Sequence, residues 1–414
     1  MSSEAVSRRG SFATAVAFVT ALALGACGPA EPAENPTSRT PPGASPGMVI
    51  HPAPAGTAED PLAGLPSAAS SARLLVSTVD DGVPLEVLDL EERSSAGISG
   101  IPGGGLQQGA FTPEGGVAFV AGPRSIGFVE PDGRRRPGTA DLPAGVPGEI
   151  TTLAVAGNVV VAGSLQTDQG AQRPGRSVLF ELDGRHRCDG PEGTQLSWFR
   201  AGWLWSPDLR SRIDPATCAA MTGLELRGYE GPLFFLTAGP NGYLSSDGYS
   251  VSRFDLATGK VQATSPAQKE PITHALLRDD LWVLAGSRLL TLDPATLRVT
   301  ASKRVLECAY NPSLLEARGR LYLLDDCQAA LYRLEPSSGN VVEGWALPVD
   351  GESDVQVYGV PTGEGIWFVD VEQSGKPYFF DPVEARFERL PLDPQQAEPV
   401  YALVFDVHPR SPER

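Results

Sequence analysis

The chain has 414 residues and a formal net charge of −17, with 46 glycines and 38 prolines. Phosphate backbones attract lysine and arginine, so an acidic chain of this kind is not expected to bind nucleic acid. High glycine and proline content favours turns over long helices. Beyond residue 70, short apolar stretches alternate with Gly, Asp, Asn and Pro, which indicates an all-β fold.

Residues 1–26 have the pattern of a secretion signal. Arg8 and Arg9 precede an apolar stretch over residues 12–24 that is too short to span a bilayer. The stretch ends in Leu24-Gly25-Ala26-Cys27, which resembles the lipobox of bacterial lipoproteins. The resemblance implies that Cys27 carries a lipid and becomes the new N-terminus, so that the protein is anchored to a membrane. An ordinary signal with a chance cysteine is the alternative.

The export route and destination follow from the same segment. Ser7-Arg8-Arg9 is similar to the start of a twin-arginine signal, but Phe12 lies one place late. The general secretory route is therefore expected, with twin-arginine export as the alternative. Gly28 stands where many inner-membrane lipoproteins have Asp. The expected location is extracytoplasmic, on the outer membrane if the host is Gram-negative.

Residues 27–70 are expected to form a disordered Pro/Ala-rich tether behind the lipidated cysteine. Ten prolines stand among Ala, Gly, Ser and Thr after Cys27. Such a composition cannot bury a core and favours an extended chain. His51 lies inside this segment and has no obvious partner.

The body of the chain repeats an apolar strand that ends in an acidic residue and a turn. The clearest copy is Phe254-Asp255-Leu256-Ala257-Thr258-Gly259-Lys260-Val261. The acidic positions are Asp89, Glu130, Asp183, Asp214, Asp255, Asp293, Glu335 and Asp381. Their mean spacing of about 42 residues is the period expected of propeller blades. Asp accepts hydrogen bonds from backbone N–H groups two residues on, so these residues are interpreted as turn formers and not as catalytic groups.

Two further strands precede each copy, as in Thr273–Leu277 followed by Leu281–Leu284. Four strands per repeat, named A to D from the centre outwards, predict a β-propeller over residues 71–408 with a tail at 409–414. Eight four-stranded blades are expected, and seven blades are the alternative. The first repeat starts with strand B at Arg73–Val76, and the chain ends with an unpaired apolar strand, Val400–Phe405. The C-terminal strand is therefore predicted to close the ring as strand A of the first blade.

Residues 73–408 resemble the YVTN/PQQ-like repeat propellers of bacteria through turns of the form Asp-x-Ala-Thr-Gly-Lys-Val. The tryptophans that mark quinone-binding repeats do not recur in register, so no cofactor is expected. The layout is also similar to that of the eight-bladed propeller lipoprotein of the outer-membrane β-barrel assembly machine. Both resemblances imply a fold and not a function.

Four cysteines remain in the body of the chain, an even number that suggests disulfides in an exported protein. The blade assignment places Cys308 and Cys327 in neighbouring loops of blade 7, on one face of the ring. It places Cys188 and Cys218 on the opposite face, in adjacent blades. The predicted pairs are therefore Cys188–Cys218 and Cys308–Cys327. Zinc binding by these cysteines is the alternative to disulfide formation, although no Cys-x-x-Cys spacing supports it. Whether any metal binds is not indicated by the sequence.

No catalytic residue can be named from a motif, because the sequence contains no nucleophile elbow, zinc-protease motif, P-loop or EF-hand. His274 lies in an A strand that can face the central channel. The loops between strands B and C are often acidic, which predicts a rim for a cation or a basic partner. The rim residues are Asp80, Asp81, Asp208, Asp247, Asp325, Asp326 and Asp370. The alternative is that aspartate simply forms these hairpins.

The sequence therefore favours a binding or scaffolding module at the cell envelope, a monomer whose protein or small-molecule ligand it does not identify. The alternative is a propeller enzyme of the lyase or lactonase type, with a site at the mouth of the channel.

Overall fold

Every regular element is a β-strand in the part of the chain that the computed structural model describes. The described ranges are 41–53, 72–78, 86–89, 94–97, 109–168, 171–196, 198–226, 234–245, 247–308, 312–348, 357–361, 364–370, 378–389 and 402–409. Within them, no helix is long and apolar enough to cross a membrane. The predicted signal, Cys27, most of the predicted tether and residues 410–414 lie outside these ranges.

The described ranges contain 33 strands, β1 to β33, in chain order. The first seventeen are β1 (Ala44–His51), β2 (Ala72–Thr78), β3 (Glu86–Asp89), β4 (Ser94–Gly97), β5 (Gly109–Phe111), β6 (Val117–Gly122), β7 (Ser125–Val129), β8 (Ala140–Asp141), β9 (Glu149–Ala156), β10 (Val159–Asp168), β11 (Ala171–Glu181), β12 (His186–Asp189), β13 (Trp198–Arg200), β14 (Trp203–Trp205), β15 (Ser211–Ile213), β16 (Ala220–Thr222) and β17 (Phe235–Ala238). The others are β18 (Asn241–Leu244), β19 (Ser252–Asp255), β20 (Val261–Thr264), β21 (Ile272–Leu277), β22 (Leu281–Ala285), β23 (Arg288–Leu292), β24 (Val299–Arg304), β25 (Ser313–Ala317), β26 (Arg320–Asp325), β27 (Ala330–Leu334), β28 (Val341–Ala346), β29 (Val357–Pro361), β30 (Ile366–Asp370), β31 (Tyr378–Asp381), β32 (Arg386–Arg389) and β33 (Ala402–Pro409).

The described strands form eight sheets with four antiparallel strands each, and in seven of them the four strands follow one another in the chain. Sheet 1 has the order β33-β2-β3-β4, sheet 2 contains β5 to β8, and sheets 3 to 8 continue in the same way to β32. Sheet 7 carries β1 as a fifth, outer strand. The innermost strands contact one another in chain order, β33 with β5, β5 with β9, β9 with β13, β17 with β21, β21 with β25 and β25 with β29. The arrangement is a β-propeller, as the repeat pattern predicts.

The core lies between the sheets. Six apolar clusters each join one sheet to the next, from the boundary of sheets 2 and 3 to the boundary of sheets 7 and 8. In β26, Leu321 and Leu323 face sheet 6, while Tyr322 and Leu324 face sheet 8. Because side chains alternate along a strand, a strand buried on both faces reads as a continuous apolar run.

The acidic residues between strands C and D form the turns that the sequence predicts. Oδ1 of Asp255 accepts hydrogen bonds from the N–H and hydroxyl of Thr258 at 2.7 and 2.8 Å. Asp293 makes the same pair of bonds with Thr296. The side-chain hydrogen bond from the threonine, joined by the backbone bond, lowers the pKa of both aspartates. These carboxylates are used in turns.

The fifth residue of these turns takes a left-handed conformation whether or not it is glycine. The repeat predicts a positive φ at Gly259, where φ is 69°. Cys218, Leu297 and Ala385 stand four residues after their own aspartates and have φ values of 60°, 56° and 55°. A residue with a Cβ is strained in this region, so packing between sheets holds these three turns in place.

Arginine side chains join each of sheets 2 to 7 to a turn of the next sheet. Arg136 donates to the carbonyl of Leu182, and Arg187 donates to that of Ala216. The same pattern continues with Arg212 to Leu256, Arg253 to Ala295, Arg278 to Gly319, Arg318 to Glu364 and Arg320 to Pro382. Turn carbonyls would otherwise be left without partners at these packed edges, so the arginines fix the spacing of neighbouring sheets.

Arg212 is the most enclosed of these arginines, with no exposed surface. Its guanidinium carbon lies 4.0 Å from the centre of the Trp203 ring and 4.8 Å from that of Trp205. Burial lowers the pKa of Arg212. The side chain donates to the carbonyls of Leu256 and Ala257, a forked contact that a lysine ammonium cannot reproduce.

We therefore expect Arg212→Lys to lower the free energy of unfolding by about 2 kcal/mol or more, since two charge-assisted bonds and a stacked contact are lost. Urea unfolding of the purified protein measures the change. The exposed neighbour provides the control, and Arg210→Lys should change stability by less than about 0.5 kcal/mol. Equal effects of the two substitutions would contradict the role assigned to Arg212.

The ring closes through the C-terminus, as predicted, by the strand β33. β33 pairs antiparallel with β2, from Ala72 opposite Pro409 to Thr78 opposite Ala402. β33 also contacts β30 of sheet 8 and β5 of sheet 2. The last strand of the chain therefore belongs to sheet 1 and links it to both neighbours.

Ending the chain after Val400 should leave the edge of β2 without a partner, and unpaired strand edges promote aggregation. We expect an insoluble or protease-sensitive product. A chain that ends after Pro409 keeps the whole of β33 and should melt like the complete protein. Limited proteolysis and thermal unfolding of the two truncated proteins test the closure, which is wrong if the shorter one melts normally.

Candidate functional site

The acidic residues predicted to form one rim occupy two different environments. Asp208 and Asp247 are exposed in the B–C loops of sheets 4 and 5. Asp208 accepts hydrogen bonds from the hydroxyl of Ser206 and the N–H of Arg210 at 2.5 and 3.1 Å. Asp247 accepts bonds from the N–H groups of Tyr249 and Ser250. Both aspartates therefore help to form their hairpins, while their exposed side chains leave the predicted rim for a cation or a basic partner a prediction.

Of the other rim residues, only Asp325 and Asp326 have described side chains, and both are buried. Asp325 and Asp326 lie at the B–C loop of sheet 7 with 1% and 6% of their surface exposed. Asp370 is the last residue of β30, and its side chain, like Asp80 and Asp81, is outside the described part. Within the described loops, the aspartates thus divide into exposed turn formers and a buried pair, and a continuous acidic surface remains a prediction.

Both disulfides that the blade assignment predicts are present. Cys188 on β12 is bonded to Cys218 in the next sheet, with Cα atoms 6.4 Å apart. Cys308 precedes β25 and is bonded to Cys327, with Cα atoms 6.3 Å apart. The first bond joins two sheets, and the second joins two loops of sheet 7.

The disulfide of sheet 7 has a carboxylate beside it. A carboxylate oxygen of Asp325 and the sulfur atoms of Cys308 and Cys327 all lie within 4.8 Å of one another. Metal ions bind the thiolate form of cysteine. Because the two sulfurs are bonded to each other, this cluster is a disulfide with an acidic neighbour and does not have the donor set of a zinc centre.

His274 lies on β21, the innermost strand of sheet 6. Desolvation lowers the pKa of its imidazole to about 4, against a smaller opposing effect of the hydrogen bond with the backbone of Leu314. The ring is therefore neutral at physiological pH. His274 is held between two innermost strands, which is a packing role.

The prediction of a disordered tether is wrong for Ala44–His51, which forms β1. This strand pairs in parallel with β28, the outer strand of sheet 7, with Ile50 opposite Gly344 and His51 opposite Trp345. Met48 packs against the apolar cluster between sheets 6 and 7. Met48-Val49-Ile50 is a short apolar run that could have indicated this strand. The prediction of disorder rested on the proline-rich composition of the whole segment and so overlooked it.

His51 has partners that the sequence did not reveal. Its Nε2 lies 2.9 Å from Oε1 of Glu343, and its ring stacks on Trp345 with centres 5.5 Å apart and planes 12° apart. Arg333 binds the other oxygen of Glu343 at 2.9 Å. The N-terminal segment is therefore joined to the outer edge of sheet 7 by backbone pairing and by this contact of His51, Glu343 and Trp345.

No protein-family model matches the chain, and no curated protein matches it. Solved structures do. The complex of the dihydro-heme d1 dehydrogenase NirN with DHE, a protein of β-propeller type, has a TM-score of 0.56 at 13% identity, over 89% of this chain and 79% of that one. The computationally designed Ika8 protein has a TM-score of 0.52 at 11% identity, over 76% of this chain and 89% of that one.

A further match, Hsv2 of Kluyveromyces lactis, has a TM-score of 0.42 at 11% identity, over 68% of this chain and 95% of that one. Because this TM-score is below 0.5, the match adds no support for the fold. At these identities the matches show a shared propeller fold, and a fold alone does not carry an activity.

The docking of β1 predicts slow hydrogen exchange at Val49–His51, because backbone pairing protects amides. Replacing the ring in His51→Ala removes the stack on Trp345 and the contact with Glu343. We expect exchange in β1 to rise about threefold or more, the effect of losing roughly 1 kcal/mol. The melting temperature of the propeller should not change.

Mass spectrometry of the exchanged protein measures this effect. His186→Ala is the matched control, because His186 lies on the outer strand β12 and contacts Asp189 at 2.9 Å. That substitution should leave β1 unchanged. Fast exchange of β1 in the unaltered protein would contradict its docking.

Proposed function

We propose that this protein is a lipid-anchored, eight-bladed propeller of the YVTN/PQQ-like type that acts outside the cytoplasm as a binding or scaffolding module at the cell envelope. The observation that carries this proposal is that the described charged side chains make structural hydrogen bonds. Turn aspartates such as Asp255 and Asp293 accept hydrogen bonds from the backbone, and arginines such as Arg212 join one sheet to the next. Because these groups stabilise the propeller itself, we assign ligand binding to the loops and faces of the ring.

Three observations support the proposed location of the protein at a membrane outside the cytoplasm. Leu24-Gly25-Ala26-Cys27 has the form of a lipobox. Two disulfides are consistent with an oxidising compartment outside the cytoplasm. Strand β1 connects the N-terminal segment to sheet 7. A lipid on Cys27 would therefore hold a structured propeller at the membrane, through a segment that is itself partly bound to the ring.

The proposed ligand is a protein or small molecule that meets the B–C loop face, where Asp208 and Asp247 are exposed. A net charge of −17 favours a basic partner over an acidic one. The module acts as a single copy in this proposal.

The anchor is tested by Cys27→Ser. Because the thiol is the site of acylation, the variant should appear in the soluble fraction or accumulate as the unprocessed precursor. Fractionation and intact mass of the mature protein measure both outcomes. A variant that stays membrane-bound and is processed normally contradicts the lipid anchor.

Gly28→Asp is the matched control, because it keeps Cys27 and changes only the residue that sorts the lipoprotein. It should remain acylated and membrane-bound. In a Gram-negative host it should move from the outer to the inner membrane.

The binding role is tested by cross-linking the anchored protein in cells and by metal analysis of the purified protein. A stable cross-linked partner supports the module. A stoichiometric bound metal without any partner would instead favour the enzyme alternative of the lyase or lactonase type.

A further inference from the structure

One corner of sheet 7 places a buried carboxyl group against a disulfide. The sulfur atoms of Cys308 and Cys327 and an oxygen of Asp325 lie within 4.8 Å of one another. Cys327 is exposed, Cys308 is half-buried and Asp325 is buried. An external reagent therefore meets Cys327 first, while the acid lies on the buried side.

Asp325 is incompletely bonded for a buried group. Its Oδ1 accepts a hydrogen bond from the N–H of Gln328 at 3.2 Å, and its Oδ2 has no hydrogen-bond partner in the described part of the chain. Burial raises the pKa of Asp325 to about 7, and the charges of Asp326 and Glu307 act in the same direction. Burial, together with the charges of Asp325 and Glu307, raises the pKa of the neighbouring Tyr332, so its phenol stays neutral.

We infer that the Cys308–Cys327 disulfide is a thiol–disulfide exchange site for external thiolates and that Asp325 is its proton donor and acceptor. This activity goes beyond the proposed binding role and does not depend on the identity of a partner. It assigns a chemical role to a carboxyl group whose Oδ2 has no hydrogen-bond partner among the described residues.

The exchange step balances with one external thiolate. The thiolate attacks Sγ of Cys327, a new sulfur–sulfur bond forms, and the bond between Cys327 and Cys308 breaks. The electron pair goes to Sγ of Cys308, which takes the proton of the Asp325 carboxyl group. The products are a mixed disulfide on Cys327, a thiol on Cys308 and a carboxylate on Asp325. In the reverse step, the carboxylate removes the proton from Cys308, whose thiolate attacks Cys327 and releases the external thiolate.

Among the described residues, no carboxylate is grouped in this way with the sulfurs of the second disulfide, which provides an internal comparison. Cys188 and Cys218 pack against the apolar cluster between sheets 3 and 4. Their bond joins sheets 3 and 4, so its reduction would remove a covalent link between two packed sheets. We assign Cys188–Cys218 a structural role.

Reduced glutathione is the probe, applied to the full-length protein with acid quenching, alkylation and peptide mapping. We expect the mixed disulfide to form on Cys327 at least tenfold faster than on Cys188 or Cys218. The rate constant per glutathione thiolate should be highest below pH 7, where Asp325 is protonated. It should fall as the pH rises through about 7, because the carboxylate has no proton to donate.

Asp325→Asn separates proton donation from simple repulsion, because the amide is uncharged and is not an acid. We expect its rate constant per thiolate to be independent of pH and about tenfold or more below that of the unaltered protein at pH 5.5. Asp132→Asn is the matched control, an exposed aspartate in the turn between β7 and β8 of sheet 2 that precedes all four disulfide cysteines by more than 50 residues, and it should keep the original profile. Thermal unfolding confirms that each variant is folded.

Three results would overturn the inference. The first is equal reactivity of the two disulfides in the unaltered protein. The second is a mixed disulfide that forms on Cys308 instead of Cys327. The third is an Asp325→Asn variant that matches the unaltered protein at pH 5.5 and exceeds it above pH 7, because Asp325 would then only repel the thiolate. If the Asp325→Asn variant is unfolded, two measurements on the unaltered protein still test the inference. They are the pH dependence of the rate constant per thiolate and the identity of the cysteine that forms the mixed disulfide.

Discussion

Sheets 3 to 7 of this protein each pack through two apolar faces, and neither face can be left in water. In β22, Leu281 and Val283 belong to the cluster shared with sheet 5, whereas Trp282 and Leu284 belong to the cluster shared with sheet 7. A sheet with two such faces must lie between two others, since the burial of apolar area is what stabilises it. A row of such sheets always leaves two faces exposed at its ends unless it closes. Ring closure by β33 is the consequence of that constraint.

The same constraint explains where the charged residues are used. When sheets pack side by side, their turns come together at the edges of the interfaces, and the carbonyls there need donors. Arg136, Arg187 and Arg253 supply them across successive boundaries. The turns themselves are held by aspartate and threonine side chains. Most of the described charged chemistry thus maintains the spacing of the sheets, which makes a buried acid outside this scheme, Asp325, the informative exception.

The outer edge of sheet 7 shows how a free strand edge becomes useful. Without β1, the outer side of β28 would present unpaired backbone groups, a template on which an extended segment can add. Ala44–His51 fills it in parallel, and the gain comes from backbone pairing together with Met48 and the His51 ring. An N-terminal segment that is otherwise rich in proline thereby becomes part of the propeller. In the proposed anchored protein, this contact determines where the tether leaves the ring.

The sequence alone determined the features that depend on local chemistry. Alternating apolar residues specified the strands, Asp-x-x-Thr-Gly specified the turns, and a period of about 42 residues specified the propeller and the two cysteine pairs. Only the tertiary structure decided what depends on neighbouring sheets. It placed Leu297 and Ala385 in left-handed turns, used Arg212 across a boundary, buried Asp325 beside a disulfide, and paired β1 with β28. The physical reason is that strands and turns are set by residues a few positions apart, whereas burial and the choice of partner are set by sheets that meet only after the chain has folded.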